Sequence, residues 1–114
     1  MQKVSVLNHA VEFYVQACES FVNPPEEYKR KVSECISLCK EINKNTAVAF
    51  SKNSRDEQLE YLDKAVKSGK DFRGSLAELE KNGLFSEQIF VQLNDLSYRT
   101  DREIKQIVPA LLKG

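Results

Sequence analysis

The only histidine of this chain is the first candidate for chemistry, because imidazole is the commonest general acid or base in enzymes. No serine or cysteine neighbours His9 in a recognisable nucleophile motif. Di-iron helical bundles use inward Glu-x-x-His pairs from two helices and two further glutamates. Here His9-x-x-Glu12 occurs once, in the reverse order. The sequence therefore predicts no catalytic residue and no iron site, and we expect a protein that is not an enzyme.

Three cysteines are the next candidates, since three thiolates and one imidazole could together hold zinc. Cys18, Cys35 and Cys39 all lie inside apolar helical patterns, whereas structural zinc sites usually carry their ligands on short spacings that contain turns. Free cysteine is most often a small buried hydrophobe. We therefore expect core thiols, with no metal and no cofactor. An odd number of such thiols fits a reducing cytosol better than a disulfide framework.

The sequence pattern also bears on where the protein works. The first residues lead into a segment interrupted by Asn8, His9 and Glu12, which is unlike the apolar core of a signal peptide. No apolar run approaches the roughly 20 residues that are needed to cross a bilayer. We therefore expect a cytoplasmic protein that has no membrane partner.

Basic side chains are the remaining candidates, as contacts to phosphate. The 17 basic and 17 acidic residues give a formal net charge of zero, so no overall field attracts nucleic acid. Phosphate binding would need local clusters, of which we select two: Lys67, Lys70 and Arg73, and Lys29, Arg30 and Lys31. Such contacts would position a nucleic acid without reading its bases. The alternative is that these residues form solvated, ion-paired helix faces.

Four helices must position all of these residues. Apolar side chains recur at steps of three and four in four segments, with no strand-like alternation between them. Breaks and caps separate the segments: Asn23-Pro24-Pro25, a Ser54-x-x-Glu57 capping box, Asn82-Gly83 and Ser86. The predicted helices cover residues 2–22, 25–51, 55–82 and 87–112. A chain of 114 residues forms one domain, and the short connections predict an all-α, antiparallel up-down-up-down four-helix bundle.

The first helix is apolar over more of its surface than one core contact requires. One set of apolar residues forms an unbroken seam with helical spacing: Val4, Leu7, Val11, Tyr14, Cys18 and Phe21. A second set lies beside it: Val6, Ala10, Phe13 and Ala17. The sequence does not decide which set faces the core. We assign the second set to an interface between copies of the chain, which leaves the first set for the core.

Several motifs resemble those of the four-helix proteins encoded within ribosomal-RNA intervening sequences. The matching positions run without gaps from Pro24 through Phe90: Asn45-Thr46-Ala47, Ser54, Glu57, Tyr61-Leu62, Ala65, Ser68, Asp71, Gly83, Ser86 and Phe90. The chain departs from the family at Val48-Ala49, where the family has Glu-Gly. The same superfamily includes the accessory variability protein (Avd) of diversity-generating retroelements. The resemblance implies a ring-shaped homopentamer and, for the retroelement proteins, a reverse transcriptase and nucleic acid as partners.

These observations lead to two hypotheses of function. The first is a self-assembling accessory or scaffold protein, with no enzymatic activity, that binds RNA or DNA and the reverse transcriptase of a mobile element. The second is a helical adaptor that binds proteins and has no role with nucleic acid. Steep salt dependence of nucleic-acid binding would favour the first hypothesis, because contacts to phosphate release counterions.

Overall fold

Four long helices account for most of the chain in a computed structural model, which describes the backbone of residues 2–113 and the side chains of residues 5–112. The elements in order are α1 (Gln2–Ser20), a 3-10 turn (Glu26–Tyr28), α2 (Lys29–Ser51), α3 (Arg55–Lys81) and α4 (Glu87–Lys113). Most bounds lie within two residues of the predicted ones. The exception is α2, because residues 26–28 form a 3-10 turn in place of its first α-helical turn.

The helices pack side by side in the cyclic order α1, α2, α3, α4. Contacts between them show that neighbours run in opposite directions. Lys31 near the start of α2 pairs with Glu78 near the end of α3. Ser5 near the start of α1 bonds Glu103 in the second half of α4, whereas Gln16 near the end of α1 bonds Gln92 near the start of α4. The bundle measures 47 × 22 × 19 Å, and a helix of 27 residues is about 40 Å long. The predicted all-α antiparallel four-helix bundle is therefore confirmed.

Capping residues mark the ends of these helices at the positions that the sequence predicts. The Ser54 hydroxyl accepts a long hydrogen bond, at 3.5 Å, from the backbone N–H of Glu57 at the start of α3. The Ser86 hydroxyl accepts one at 3.2 Å from the N–H of Ile89 in α4. Gly83, which follows α3, has a φ of 73°, the left-handed conformation that glycine adopts at low cost. These caps satisfy backbone groups that the helix ends leave unpaired.

The core consists of two apolar clusters at the two ends of the bundle. The larger, the Phe13 cluster, comprises Phe13, Ala17, Phe21, Val32, Cys35, Cys39, Ile42, Phe72, Leu76, Leu79 and Leu93. The smaller, the Leu62 cluster, comprises Val6, Ala49, Leu62, Ala65, Ile104 and Ile107. Each helix contributes to both clusters, so the bundle has an apolar core along most of its length.

A layer of small residues, which we call the waist, lies between the two clusters. It contains Ala10, Thr46, Gly69, Ser97 and Thr100, all of them buried. The Thr46 hydroxyl donates to the backbone oxygen of Ile42 at 2.7 Å, and the Thr100 hydroxyl donates to that of Leu96 at 3.0 Å. Because each threonine bonds within its own helix, its buried hydroxyl is satisfied without a partner on another helix.

The faces of α1 are the reverse of the prediction. Val6, Ala10, Phe13 and Ala17 are at most 1% exposed. They are core residues, so their assignment to an interface between copies is wrong. In the set expected to face the core, Val11 is 48% exposed and Leu7, Tyr14 and Cys18 are partly exposed, whereas Phe21, just beyond the end of α1, is buried as expected. The side chain of Val4 lies outside the described residues. The physical reason is that the Phe13 ring packs edge-to-face on Phe72, with centroids 4.8 Å apart, while the alanines allow close approach of the neighbouring helices.

Replacement of Phe13 by alanine should lower the free energy of unfolding by about 3–5 kcal/mol, because it leaves a cavity at the centre of the core. Val11→Ala, on the exposed face of the same helix, should change it by less than about 0.5 kcal/mol. Urea denaturation of dilute protein measures both changes. Equal losses for the two variants would contradict this orientation of α1.

Candidate functional site

The predicted basic cluster at the start of α2 is neutralised by carboxylates. Lys29 Nζ lies 2.7 Å from Glu26, and Arg30 Nε lies 3.6 Å from Glu34. Lys31 reaches across to α3 and forms a hydrogen-bonded ion pair with Glu78. That hydrogen bond and the opposite charge raise the pKa of Lys31 and lower the pKa of Glu78. All three candidate phosphate contacts of this cluster therefore have acidic partners within the chain.

The cluster on α3 is divided between two sides of the helix. Lys67 Nζ lies 3.1 Å from Asp63, and Lys67 lines a depression that includes Glu41 and Lys44 of α2. Arg73 instead contacts α4. Six residues rotate the direction of a side chain by about 240°, so Lys67 and Arg73 do not share one surface. Among the side chains of residues 5–112, Lys70 forms no ion pair.

Arg73 supports the packing of α3 against α4. Its Nη1 donates to the Ser97 hydroxyl at 2.9 Å, and its guanidinium carbon lies 4.2 Å from the centroid of the Tyr98 ring. Ser97 is 2% exposed, and a buried hydroxyl needs such a partner. Stacking of a guanidinium on an aromatic ring adds a cation–π attraction. The geometry gives Arg73 a structural role that the sequence did not indicate.

The single histidine belongs to a polar seam between α1 and α4. His9 Nδ1 forms a short contact with Glu103 Oε1, and the Ser5 hydroxyl donates to Glu103 Oε2 at 2.9 Å. Gln92 of α4 bonds Gln16 of α1 at 3.2 Å along the same seam. Nucleophilic catalysis would need a hydroxyl or thiol hydrogen-bonded to the imidazole of His9. Among the described residues, the neighbouring Ser5 hydroxyl bonds Glu103 instead of the imidazole.

The cysteines lie in and beside the Phe13 cluster. Cys35 and Cys39 are buried, and Cys18 is partly exposed. Burial raises the pKa of the Cys35 thiol to about 12 and raises that of Cys39 as well, since the thiolate would lose its solvation. Over the described side chains, no group of three or more histidine, cysteine or acidic residues is arranged to hold a metal ion. The thiols of Cys35 and Cys39 act as small apolar core groups.

Two apolar surface features remain, and the first contains residues that we expected in the core. The first, which we call the α1 ridge, consists of the exposed Val11 and Val15 with the partly buried Leu7, Tyr14 and Cys18 beside them. The second, the α3–α4 groove, has a volume of about 410 Å³. Its apolar lining is Leu59, Leu62, Val66, Val108, Pro109 and Leu112. The sequence signal for the ridge was the spacing of Val11 and Val15 by one helical turn, and the signal for the groove was Pro109 within α4.

Comparison with known proteins supports the fold. A crystal structure of a protein of unknown function from the S23 ribosomal protein family of Bacteroides thetaiotaomicron VPI-5482 superimposes with a TM-score of 0.89. The two sequences are 17% identical, and the match covers 96% of this chain and 99% of that one. No protein-family model and no curated protein matches the sequence. In the part of the chain that the structure describes, no helix is both long and apolar enough to span a membrane.

Arg73→Met should lower the free energy of unfolding by about 1–3 kcal/mol, because it leaves the buried Ser97 hydroxyl without its donor. The matched change Lys70→Met, at an exposed position of the same helix, should cost less than about 0.5 kcal/mol. Urea denaturation of the two variants tests the difference. If Lys70→Met lowered the free energy of unfolding as much as Arg73→Met does, the Arg73–Ser97 contact would contribute no specific stability.

Proposed function

We propose that this protein is a non-enzymatic accessory or scaffold protein that assembles with itself through the α1 ridge. The observation that carries the proposal is the exposure of Val11 and Val15, at 48% and 46%, on a helix whose other face already forms core. Residues 7, 11, 14, 15 and 18 bring no charged side chain to this side of α1. Contiguous apolar surface of this kind commonly marks a protein–protein interface.

The family resemblance suggests the form of the assembly and its client. It implies a homopentameric ring that works beside the reverse transcriptase and the RNA or DNA of a mobile element. The S23 ribosomal protein family of the structural neighbour is a further reason to test RNA. We therefore propose a reverse transcriptase or another RNA–protein complex as the client.

The contacts of the basic residues favour the alternative function, a protein-binding adaptor with no nucleic-acid role, because most of these residues already have partners within the chain. Four of the six candidate phosphate contacts pair with carboxylates, and Arg73 is held by Ser97 and Tyr98. Lys70 alone among the six remains without such a contact in the described part of the chain. Ion pairs at an exposed surface are worth little, so phosphate could still compete for these residues. Nucleic-acid binding has to be measured to distinguish the accessory protein from the adaptor.

Light scattering on a sizing column should give a mass near five times the 13.0 kDa of one chain, at both low and moderate salt. The double variant Val11→Lys with Val15→Lys should reduce that mass, because it places charge in the apolar contact. Val91→Lys, at a valine that is 47% exposed on α4, is the matched control and should assemble normally. A wild-type protein that elutes as a monomer would overturn the proposed self-assembly.

Wild-type protein should be retained on an RNA column at low salt and should elute steeply as salt rises, because each phosphate contact releases counterions. Lys70→Glu should weaken retention and lower the salt slope by about one. Lys40→Glu, at an exposed lysine of α2, is the charge-matched control and should have a smaller effect. Passage of the wild type through the column without retention would favour the adaptor.

A further inference from the structure

We infer that the α3–α4 groove receives the α1 ridge of a second copy of this chain, so that the copies associate head to tail. This inference rests on the proposed self-assembly and adds the surface on which the ridge docks. The two features belong to the same chain but lie on different faces of the bundle. Both are apolar, the valine pair of the ridge is short enough to fit within the groove, and the charges beside them have opposite sign.

The groove is formed by the first half of α3 and the last turns of α4. Leu59, Leu62 and Val66 line one wall, and Val108, Pro109 and Leu112 line the other. Leu112 is 62% exposed, which makes it one of the most exposed large apolar side chains described. Proline inside a helix removes a backbone hydrogen bond and clashes with the preceding turn. The end of α4 is nevertheless held beside α3, because Arg55 Nη1 at the start of α3 donates to the backbone oxygens of Leu111 and Leu112 at 3.4 and 3.5 Å.

The dimensions of the ridge suit this groove. From Leu59 to Val66 is seven residues, so the α3 wall is roughly 10 Å long. Val11 and Val15 are one helical turn apart, with a rise of about 6 Å between them. Both valines can therefore enter the groove together, in the way that an amphipathic helix places apolar anchors in the groove of a partner.

The charges beside the two features are complementary. Residues 5–20 of α1 contain no lysine or arginine. Glu12 pairs with Arg99 of α4, and the exposed Glu19, one turn beyond Val15, forms no ion pair among the described residues. Lys105 lies at the groove with its side chain 63% exposed, and the exposed Lys70 and Arg102 lie within a turn of groove residues. Asp63 pairs with Lys67 and Asp101 pairs with Lys105. Among the described residues, Lys70 and Arg102 are exposed cations without an ion pair, and Asp56 is an exposed carboxylate without one. Opposite potentials of this kind fix the register of an interface and exclude wrong partners.

The ridge and the groove of one chain cannot meet, so a contact between these two surfaces requires two copies of the chain. The polar seam with α4, which includes the Glu12–Arg99 pair at 3.0 Å, occupies one side of α1. The ridge lies on the other side, which adjoins α2. The groove lies where α4 contacts α3. A contact between two different surfaces of identical chains is heterologous, and it repeats until the rotation closes a ring or extends a filament.

Complementation between two assembly-defective variants tests the head-to-tail contact. The ridge variant is Val11→Lys with Val15→Lys, and the groove variant is Leu59→Lys with Leu112→Lys. Both carry added positive charge, so the two altered surfaces repel each other. Val91→Lys is the control for the added charge, and circular dichroism with a thermal melt verifies that each variant is folded. The mass is measured by light scattering at the concentration at which the wild type is assembled, and again at a higher one.

Each variant alone should have a mass of 13.0 kDa, whereas an equal mixture should form a species of about 26 kDa, since one intact ridge and one intact groove make a single contact. Assembly of the groove variant at the wild-type mass would overturn the inference, because the ridge would then dock elsewhere. A mixture that stays at 13.0 kDa would overturn it as well. A monomeric wild type would instead refute the proposed self-assembly on which the inference rests.

Discussion

The edge-to-face packing of Phe13 on Phe72 joins α1 to α3 across the bundle, and this contact sets how α1 is turned about its own axis. With the Phe13 ring fully buried, Val6, Ala10 and Ala17 face inward on the same side of the helix. Glu12 and Gln16 then point to α4, where they bond Arg99 and Gln92. Val11 and Val15 are left outside. The exposed apolar ridge is thus a consequence of where the largest core side chain of α1 fits.

The waist explains how the bundle combines this packing with polar contacts between its helices. Small residues lie between the two apolar clusters, and the threonine hydroxyls there are satisfied within their own helices. Arg73 lies beside this layer, where its guanidinium holds Ser97 and covers Tyr98. Asp101 is 7% exposed and pairs with Lys105 on its own helix. The Arg73 contacts favour one register of α3 and α4, because a shift of either helix would separate the guanidinium from Ser97 and Tyr98.

The sequence was sufficient for the helices but not for the choice between their faces. Apolar spacing located all four helices, and Ser54, Ser86 and Gly83 located three of their ends, because caps act over a few residues. Both apolar sets of α1 have helical spacing and similar hydrophobicity, so periodicity alone could not decide which one is core. The decision depends on Phe72, about 60 residues away. Likewise, Lys31 and Arg73 looked available for phosphate because their partners, Glu78 and Ser97, are on other helices.

Assembly and phosphate binding would use some of the same cations, which links the two parts of the proposed function. In the proposed head-to-tail contact, the acidic flank of the ridge would face the basic residues beside the groove. These include Lys70, the candidate phosphate contact that has no partner in the described part of the chain. Copies joined in this way would engage those cations with carboxylates. RNA would then compete with self-association for Lys70, and salt would weaken both interactions. With 17 acidic and 17 basic residues in the chain, a phosphate-binding surface would have to come from cations that several copies bring together, such as those at the start of α2. The carboxylates that pair with Lys29 and Arg30 there are largely exposed, so a phosphate could replace them.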